Sequence, residues 1–286
     1  MAGIRLIKSR IKSAKNIAQI TKAMQMVAAS KMKKAQEAAV SGKPYADKVY
    51  ESISELSKMT DSSFHRLLSQ KGEGDKTLII LITTNKGLCG SLNTNLFRKC
   101  LQWFTNAKLI DCIAIGNKGA KFAARAGYNL IADFSDKTPF TVYTGAVIDI
   151  VTQKFITGEY KEVIVVYNNF INALNLIPDS RMILPIGKIE STEEEIHKTL
   201  NSTFLIEPDP VQLLNFLIPH YLEVQVRAAI IQAEASEHSA RMLAMKSATD
   251  NALSLSEELT LIYNKLRQEQ ITYEIADITR SQLSLN

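Results

Sequence analysis

The sequence has 286 residues, 46% of them hydrophobic and 22% charged, a composition able to bury a core and a poor fit to disordered, collagen-like or membrane-spanning chains. Three cysteines (Cys89, Cys100, Cys112) without CxxC spacing argue against a disulfide framework or a structural zinc site and for a reducing compartment. The net charge of +5 is unevenly spread: residues 1–48 carry eleven Lys and Arg against two acids, and the remainder carries 23 basic and 27 acidic residues.

A basic amino terminus fits a transit peptide, a nucleic-acid arm or a helix facing an acidic protein surface. No apolar run of signal-peptide type follows it, and stretches such as Leu78–Ile82 fall far below the ~18–20 residues of a bilayer crossing. Periodicity decides between the three readings. Ile4, Ile7, Ile11, Ala14, Ala18, Thr21, Gln25, Ala28, Met32, Ala35 and Ala39 follow strict 3/4 spacing, the mark of a long helical seam. Gly42-Lys43-Pro44 is a candidate break, but the pattern resumes through Val49, Ile53 and Leu56. A long helix is therefore expected over 1–57, and 58–76, rich in Gly and Ser, reads as a linker.

Residues 77–207 alternate differently. Thr77–Thr83, Leu109–Ile115, Tyr128–Phe134 and Glu162–Tyr167 are short β-branched runs separated by helical segments, with Met182–Ile186 a further strand weakened by Pro185. The expected fold is a Rossmann-like open α/β domain inserted between two long helices that form an antiparallel coiled coil. The second helix occupies 208–286, where Met245, Ala248, Ala252, Leu255, Leu259, Ile262, Leu266, Glu269, Tyr273 and Ala276 make a matching seam. Laid antiparallel, the seams pair Ile4 with Ile262, Ile11 with Leu255, Ala14 with Ala252 and Thr21 with Met245. Ile17, Ile20, Met24 and Val27 then lie beside the seam and either broaden it or touch another protein.

Candidates for chemistry are few. The turn from Asn85 to Asn93 (NKGLCGSLN) follows the first strand, and such a turn can cradle phosphate, but its GxxG spacing matches neither nucleotide fingerprint. Cys89 within it has no histidine near in sequence to activate it. His65, His197, His220 and His238 form no zinc motif; Glu234 and His238, at i,i+4, read as a helix-surface pair. Glu193-Glu194-Glu195 reads as a solvated helix start. No catalytic, cofactor-binding or metal residue is assigned. The runner-up reading is an α/β nucleotide-binding enzyme with helical dimerisation arms, and the third a coiled-coil nucleic-acid binder.

Four motifs carry a resemblance. Arg10 to Lys31, with Gln19-Ile20-Thr21-Lys22-Ala23-Met24 and Met26-Val27-Ala28-Ala29-Ser30-Lys31, resembles the amino-terminal helix of the gamma subunit of F-type rotary ATP synthases. Asn85-Lys86-Gly87-Leu88-Cys89-Gly90 with Asn93 resembles that family's first strand-to-helix turn. Arg241-Met242 with Ala248-Thr249-Asp250-Asn251-Ala252, and Tyr263-Asn264 with Arg267-Gln268, resemble its carboxyl helix. Near the tip the family's usual Gly-Ala pair is replaced by Ser281-Gln282.

The resemblance implies a central rotor shaft that couples proton-driven rotation of a membrane ring to ATP synthesis or hydrolysis. It implies catalytic sites on beta subunits, no cofactor on this chain, and alpha, beta, epsilon and the membrane c-ring as partners, with neither nucleic acid nor direct membrane insertion. It places Lys22, Met24, Lys31 and Arg241 against the beta-subunit levers, and Arg267 and Gln268 near the beta-subunit catch. A bacterial member, peripheral on the cytoplasmic face of the inner membrane, is the expected source.

Overall fold

The computed structural model describes residues 2–59, 67, 74–136, 138–186 and 210–283. Most of the expected linker, His65, His197 and Glu193–Glu195 lie outside the described residues, as do the side chains of Ser281 and Gln282. By packing, the chain divides into two compact units, Met1–Ala29 with Arg241–Asn286, and Ser30–Ala240. Helices α1 (Ala2–Met59) and α5 (Pro210–Leu283) contribute residues to both. Each long helix runs through a proline, Pro44 and Pro219, where a backbone N–H is missing from the ladder. The candidate break at Gly42–Pro44 does not interrupt α1, as the resumed pattern predicts, and α5 likewise runs through Pro219.

The first unit is an antiparallel helix pair with a seam of small residues. Thr21 Oγ1 and Thr249 Oγ1 lie 2.7 Å apart and share a hydrogen bond, while each hydroxyl also reaches a carbonyl of its own helix. Counting outward from this pair sets Ala18 level with Ala252, Ala14 with Ser256, Ile11 with Leu259, Ile7 with Tyr263 and Ile4 with Leu266. All ten are buried or half-buried. The expected register, which paired Thr21 with Met245, is therefore displaced by one helical turn. That expectation favoured the layers richest in large apolar side chains, whereas small Ala, Ser and Thr let the helices approach closely. Leu255 and Ile262, expected in the seam, are each 48% exposed, and Ser256 and Tyr263 take their places. Beyond the level of Ile4, residues 271–280 are all exposed.

The second unit is built on a five-stranded sheet of order β3-β2-β1-β4-β5. Strands β1 (Lys76–Ile82), β2 (Ile110–Ile115), β3 (Asn129–Phe134) and β4 (Tyr160–Phe170) are parallel, and β5 (Leu176–Leu184) is an antiparallel edge. Right-handed crossovers need connecting helices; these are α2 (Leu92–Trp103), α3 (Asn117–Ala126) and α4 (Thr144–Ile156). Past Lys76, Thr77 and Asp111 at their amino ends, β1 and β2 are apolar on both faces because both faces are covered. Alternate residues sort between the covers: Leu78, Ile80, Ile82 and Val165 face α4 and Leu214, Ile218, Leu222, Val226 and Ile230 of α5. Ile79, Leu81 and Cys112 face Leu96 and Cys100 of α2 and Ala123 of α3.

Candidate functional site: a sealed crevice and a basic helical face

An open α/β sheet binds ligands where the strand order reverses, outside the carboxyl ends of its strands. Here that point lies between β1 and β4. The glycine-containing turn after β1 has Leu88 and Gly90 in the left-handed region, at φ 64° and 58°. Several of its polar groups are bonded to the protein, although Asn93 Oδ1 is buried without a partner. Thr84 Oγ1 donates to Lys86 O (2.7 Å) and accepts from Asn93 Nδ2 (2.8 Å), and Asn85 Nδ2 donates to Ser135 O (2.9 Å).

The neighbouring helix start, at α3, is closed in the same way. Its amides, which would hold an anion in a nucleotide-binding fold, already have acceptors. Asn117 N–H donates to Asn85 Oδ1 (2.9 Å), Lys118 N–H to Thr84 O (3.2 Å) and Gly119 N–H to Thr83 Oγ1 (2.8 Å). Gly116, at φ 101°, lets the chain pass so close to Thr83 that an added Cβ would sit 2.3 Å from its carbonyl oxygen. The consecutive Thr83-Thr84-Asn85 at the strand end thus act as an internal substitute for a phosphate.

Helix α5 covers the crevice itself. Ser236 Oγ donates to Asn168 O (2.9 Å) on β4 and Ser239 Oγ to Ala173 O (2.8 Å), and both serines are fully buried. What remains is a cavity of about 10 Å³ bounded by Ile82, Thr83, Thr84, Leu92, Phe140, Asn168, Ala233, Glu234 and Glu237. A nucleotide needs a pocket of several hundred Å³. The nucleotide-binding reading therefore fails at the place where the fold would support it.

Other buried polar groups serve packing. Asp111, at the amino end of β2 and so at the other end of the strands from the crevice, accepts from Tyr160 OH (2.8 Å) and Asn129 Nδ2 (3.0 Å) and lies 3.5 Å from Lys76 Nζ. Burial, together with the bond to Asp111, holds the Tyr160 phenol well above its ordinary range. Burial also raises Cys100 to about 12 and pushes Cys112 up further, so both thiols stay protonated. Cys89 is buried and accepts from Asn93 Nδ2 at 3.5 Å, a packed thiol rather than an exposed nucleophile.

The residues singled out as partner contacts occupy the long helices. Lys22 is exposed and Met24 half-buried on α1; Arg241 is half-buried, and Arg267 and Gln268 are exposed, on α5. Lys31, in the second unit, is exposed. The corrected register sets Arg241 level with Ala29, one turn from the expected Gln25. Around Lys22 the first unit exposes Ile17 (51%), Ile20 (60%) and Val27 (58%), and on α5 Leu255, Leu261 and Ile262. These exposed α5 side chains were missed because the seam was phased wrongly.

The class so defined is a pair of long antiparallel helices with an α/β domain inserted between them in sequence. A family model described as ATP synthase matches residues 3–285. The ATP synthase gamma chain of Opitutus terrae is 43% identical over 296 residues, covering 99% of both chains. That of Legionella pneumophila (strain Corby) is 39% identical over 293 residues, covering both completely. A chain in a central stalk and c-ring structure of Tetrahymena thermophila mitochondrial ATP synthase is similar at TM-score 0.60 and 25% identity, covering 80% of this chain and 99% of that one. One from Euglena gracilis mitochondrial ATP synthase shares the fold at TM-score 0.68 and 21% identity, covering 99% and 95%. The chain belongs to the ATP synthase gamma-chain family and is a central-stalk subunit of an enzyme complex. None of its described helices is long and apolar enough to cross a membrane.

Proposed function

We propose that this chain turns as one body inside a ring of alternating alpha and beta subunits, whose beta subunits hold the catalytic sites, with its foot on epsilon and the membrane c-ring. Residues 1–57 and 208–286 are the shaft in this reading, 77–207 its body and 58–76 the link between them. The assembly sits on the cytoplasmic face of a bacterial inner membrane. The observation that carries the reading is the face left exposed when the hairpin seam closes: Ile17, Ile20 and Val27 beside Lys22. Apolar side chains this open in water mark a surface that another protein covers.

The mechanism is coupling by differential contact. A shaft that presents Lys22, Met24, Lys31 and Arg241 to one beta-subunit lever at a time stabilises a different conformation in each beta subunit. Arg267 and Gln268 make the corresponding contact at the catch. The free-energy difference between lever positions then drives release or binding of nucleotide, with no bond made or broken on this chain.

The test ties rotor to stator. A disulfide between Arg267→Cys and a cysteine placed in the beta-subunit catch should stop ATP hydrolysis by the assembled complex, and reductant should restore it. Undiminished hydrolysis with that bond formed quantitatively would refute rotation of this part of the chain.

A further inference from the structure

The end of the sheet opposite the crevice carries a surface of another kind. Helices α2 and α3 each run from the carboxyl end of one parallel strand back to the amino end of the next. They lie side by side, with Phe97 stacked on Phe122 at a centroid distance of 4.2 Å. Their last turns therefore meet the 3₁₀ turn Ala107–Leu109 and the start of β3 at that end, where Tyr128 OH donates to Phe104 O (3.4 Å). Between Lys76 and Asp133 the chain has seven Lys and Arg against one acid, the buried Asp111. All seven are exposed, and none is in a salt bridge among the described residues. Lys118, Lys121 and Arg125 follow 3/4 spacing along α3, opposite its buried Gly119, Ala120 and Ala123. Arg98 and Lys99 lie on α2, and Lys108 in the 3₁₀ turn. The same end exposes Leu101, Trp103, Leu109 and Leu130, and Trp103 is the only tryptophan in the sequence.

We propose that this face is a contact surface for the anionic headgroups of a phospholipid bilayer. Arg98, Lys99, Lys108, Lys121 and Arg125 supply the charge, and Trp103 and Leu109 reach the headgroup boundary. Each Lys or Arg held near an anionic leaflet strengthens binding about fivefold, an effect that decays within a Debye length. Solubility alone asks for both signs interspersed, whereas a single-signed field of this extent marks an anionic partner. Tryptophan beside exposed leucines and cations is the composition of a membrane–water boundary. A nucleic-acid strand would instead need several ring faces among the cations on which to stack its bases. Trp103 is the only exposed aromatic residue between Lys76 and Asp133. In the rotor reading proposed above, on which the choice of partner rests, the chain stands on a membrane ring and so beside a lipid plane. The contact is peripheral, on headgroups rather than through the bilayer.

Vesicles test this with the full chain. At low salt the chain should co-sediment with vesicles of equimolar phosphatidylcholine and phosphatidylglycerol and not with phosphatidylcholine alone, and added salt should release it. Trp103 emission should move to shorter wavelength on binding, as the ring leaves water. Lys121→Gln with Arg125→Gln, both on the exposed side of α3, should weaken binding about 25-fold. Lys8→Gln with Lys12→Gln, which takes as much charge from the exposed side of α1, should leave the Trp103 shift intact. Sedimentation without a Trp103 shift would overturn the proposal by putting the contact on another face. Undiminished binding by the α3 variant would overturn it as well, and so would equal binding to both kinds of vesicle. Failure to bind the mixed vesicles at low salt would also overturn it, and would leave the face to an acidic protein. Each of these results is compatible with a rotor-to-stator disulfide that stops hydrolysis, so the two readings fail separately.

Discussion

The register of the helix pair makes a sharp prediction about cross-linking. Ala18 and Ala252 are level and both buried, at 5% and 8% exposure, whereas Ala14 and Ala252 are offset by one turn. Two alanines facing each other across closely packed helices have Cα atoms ~4–6 Å apart, from an axis separation of ~8–10 Å and a Cα radius of ~2.3 Å. Four residues add about 6 Å along the axis, so the offset pair stands about 8 Å apart. A disulfide needs no more than ~7 Å. On oxidation of the full chain, Ala18→Cys with Ala252→Cys should therefore bridge nearly completely, and Ala14→Cys with Ala252→Cys should stay largely reduced. Cys89, Cys100 and Cys112 are buried and need no replacement. Mass spectrometry of the linked peptides under non-reducing conditions reads the outcome. Faster bridging of the Ala14 pair would refute the register built on Thr21 and Thr249.

Three further outcomes follow from particular residues. Gly116→Ala should destabilise the α/β unit by about 3 kcal/mol or more in urea unfolding, because φ 101° and the Thr83 carbonyl both oppose a Cβ; a loss below ~1 kcal/mol would contradict the close approach. Tyr128 and Tyr167 are raised to about 12 by burial, and Tyr160 and Tyr221 are raised as well. The unfolded chain loses these protons near pH 10 while the folded one keeps them. Stability should hold below pH 10 and then fall toward pH 12 by about 1.4 kcal/mol per pH unit for each phenol, a slope that Tyr160→Phe should reduce. Met24→Lys should leave the melting temperature within about 2 °C, since Met24 lies off the buried seam, yet reduce ATP-driven ion pumping by the assembled complex. A variant that fails to fold would show Met24 to be core.

The central strands were legible because a parallel strand covered on both faces is an unbroken β-branched run, and Leu78–Ile82 has no other comfortable home. Strand β5 was half legible. Leu176–Arg181 contains Pro178-Asp179-Ser180, which reads as a turn, yet an edge strand tolerates proline on its unpaired side, and Pro178 lies opposite Asn168. The hairpin was legible as a pair of seams but not in its phase. Periodicity weighs Leu255 and Ile262 above Ser256, whereas close helix packing weighs size. The sealed crevice was illegible because Ser236 reaches Asn168 across 68 positions of sequence. Nothing local to Glu234 or Glu237 distinguishes a lid from a solvated helix face.

The two prolines inside the long helices have a mechanical consequence. Pro44 and Pro219 each delete one rung of the backbone ladder and press a ring against the carbonyl one turn earlier, the usual origin of a bend in an otherwise straight helix. Both fall within Ser30–Ala240, whereas the Ala, Ser and Thr seam of the other unit contains neither. Under load, bending stiffness is therefore graded along each helix, soft around Pro44 and Pro219 and hard where the small-residue seam closes. A load applied along either helix would be stored first as elastic deflection at the soft points.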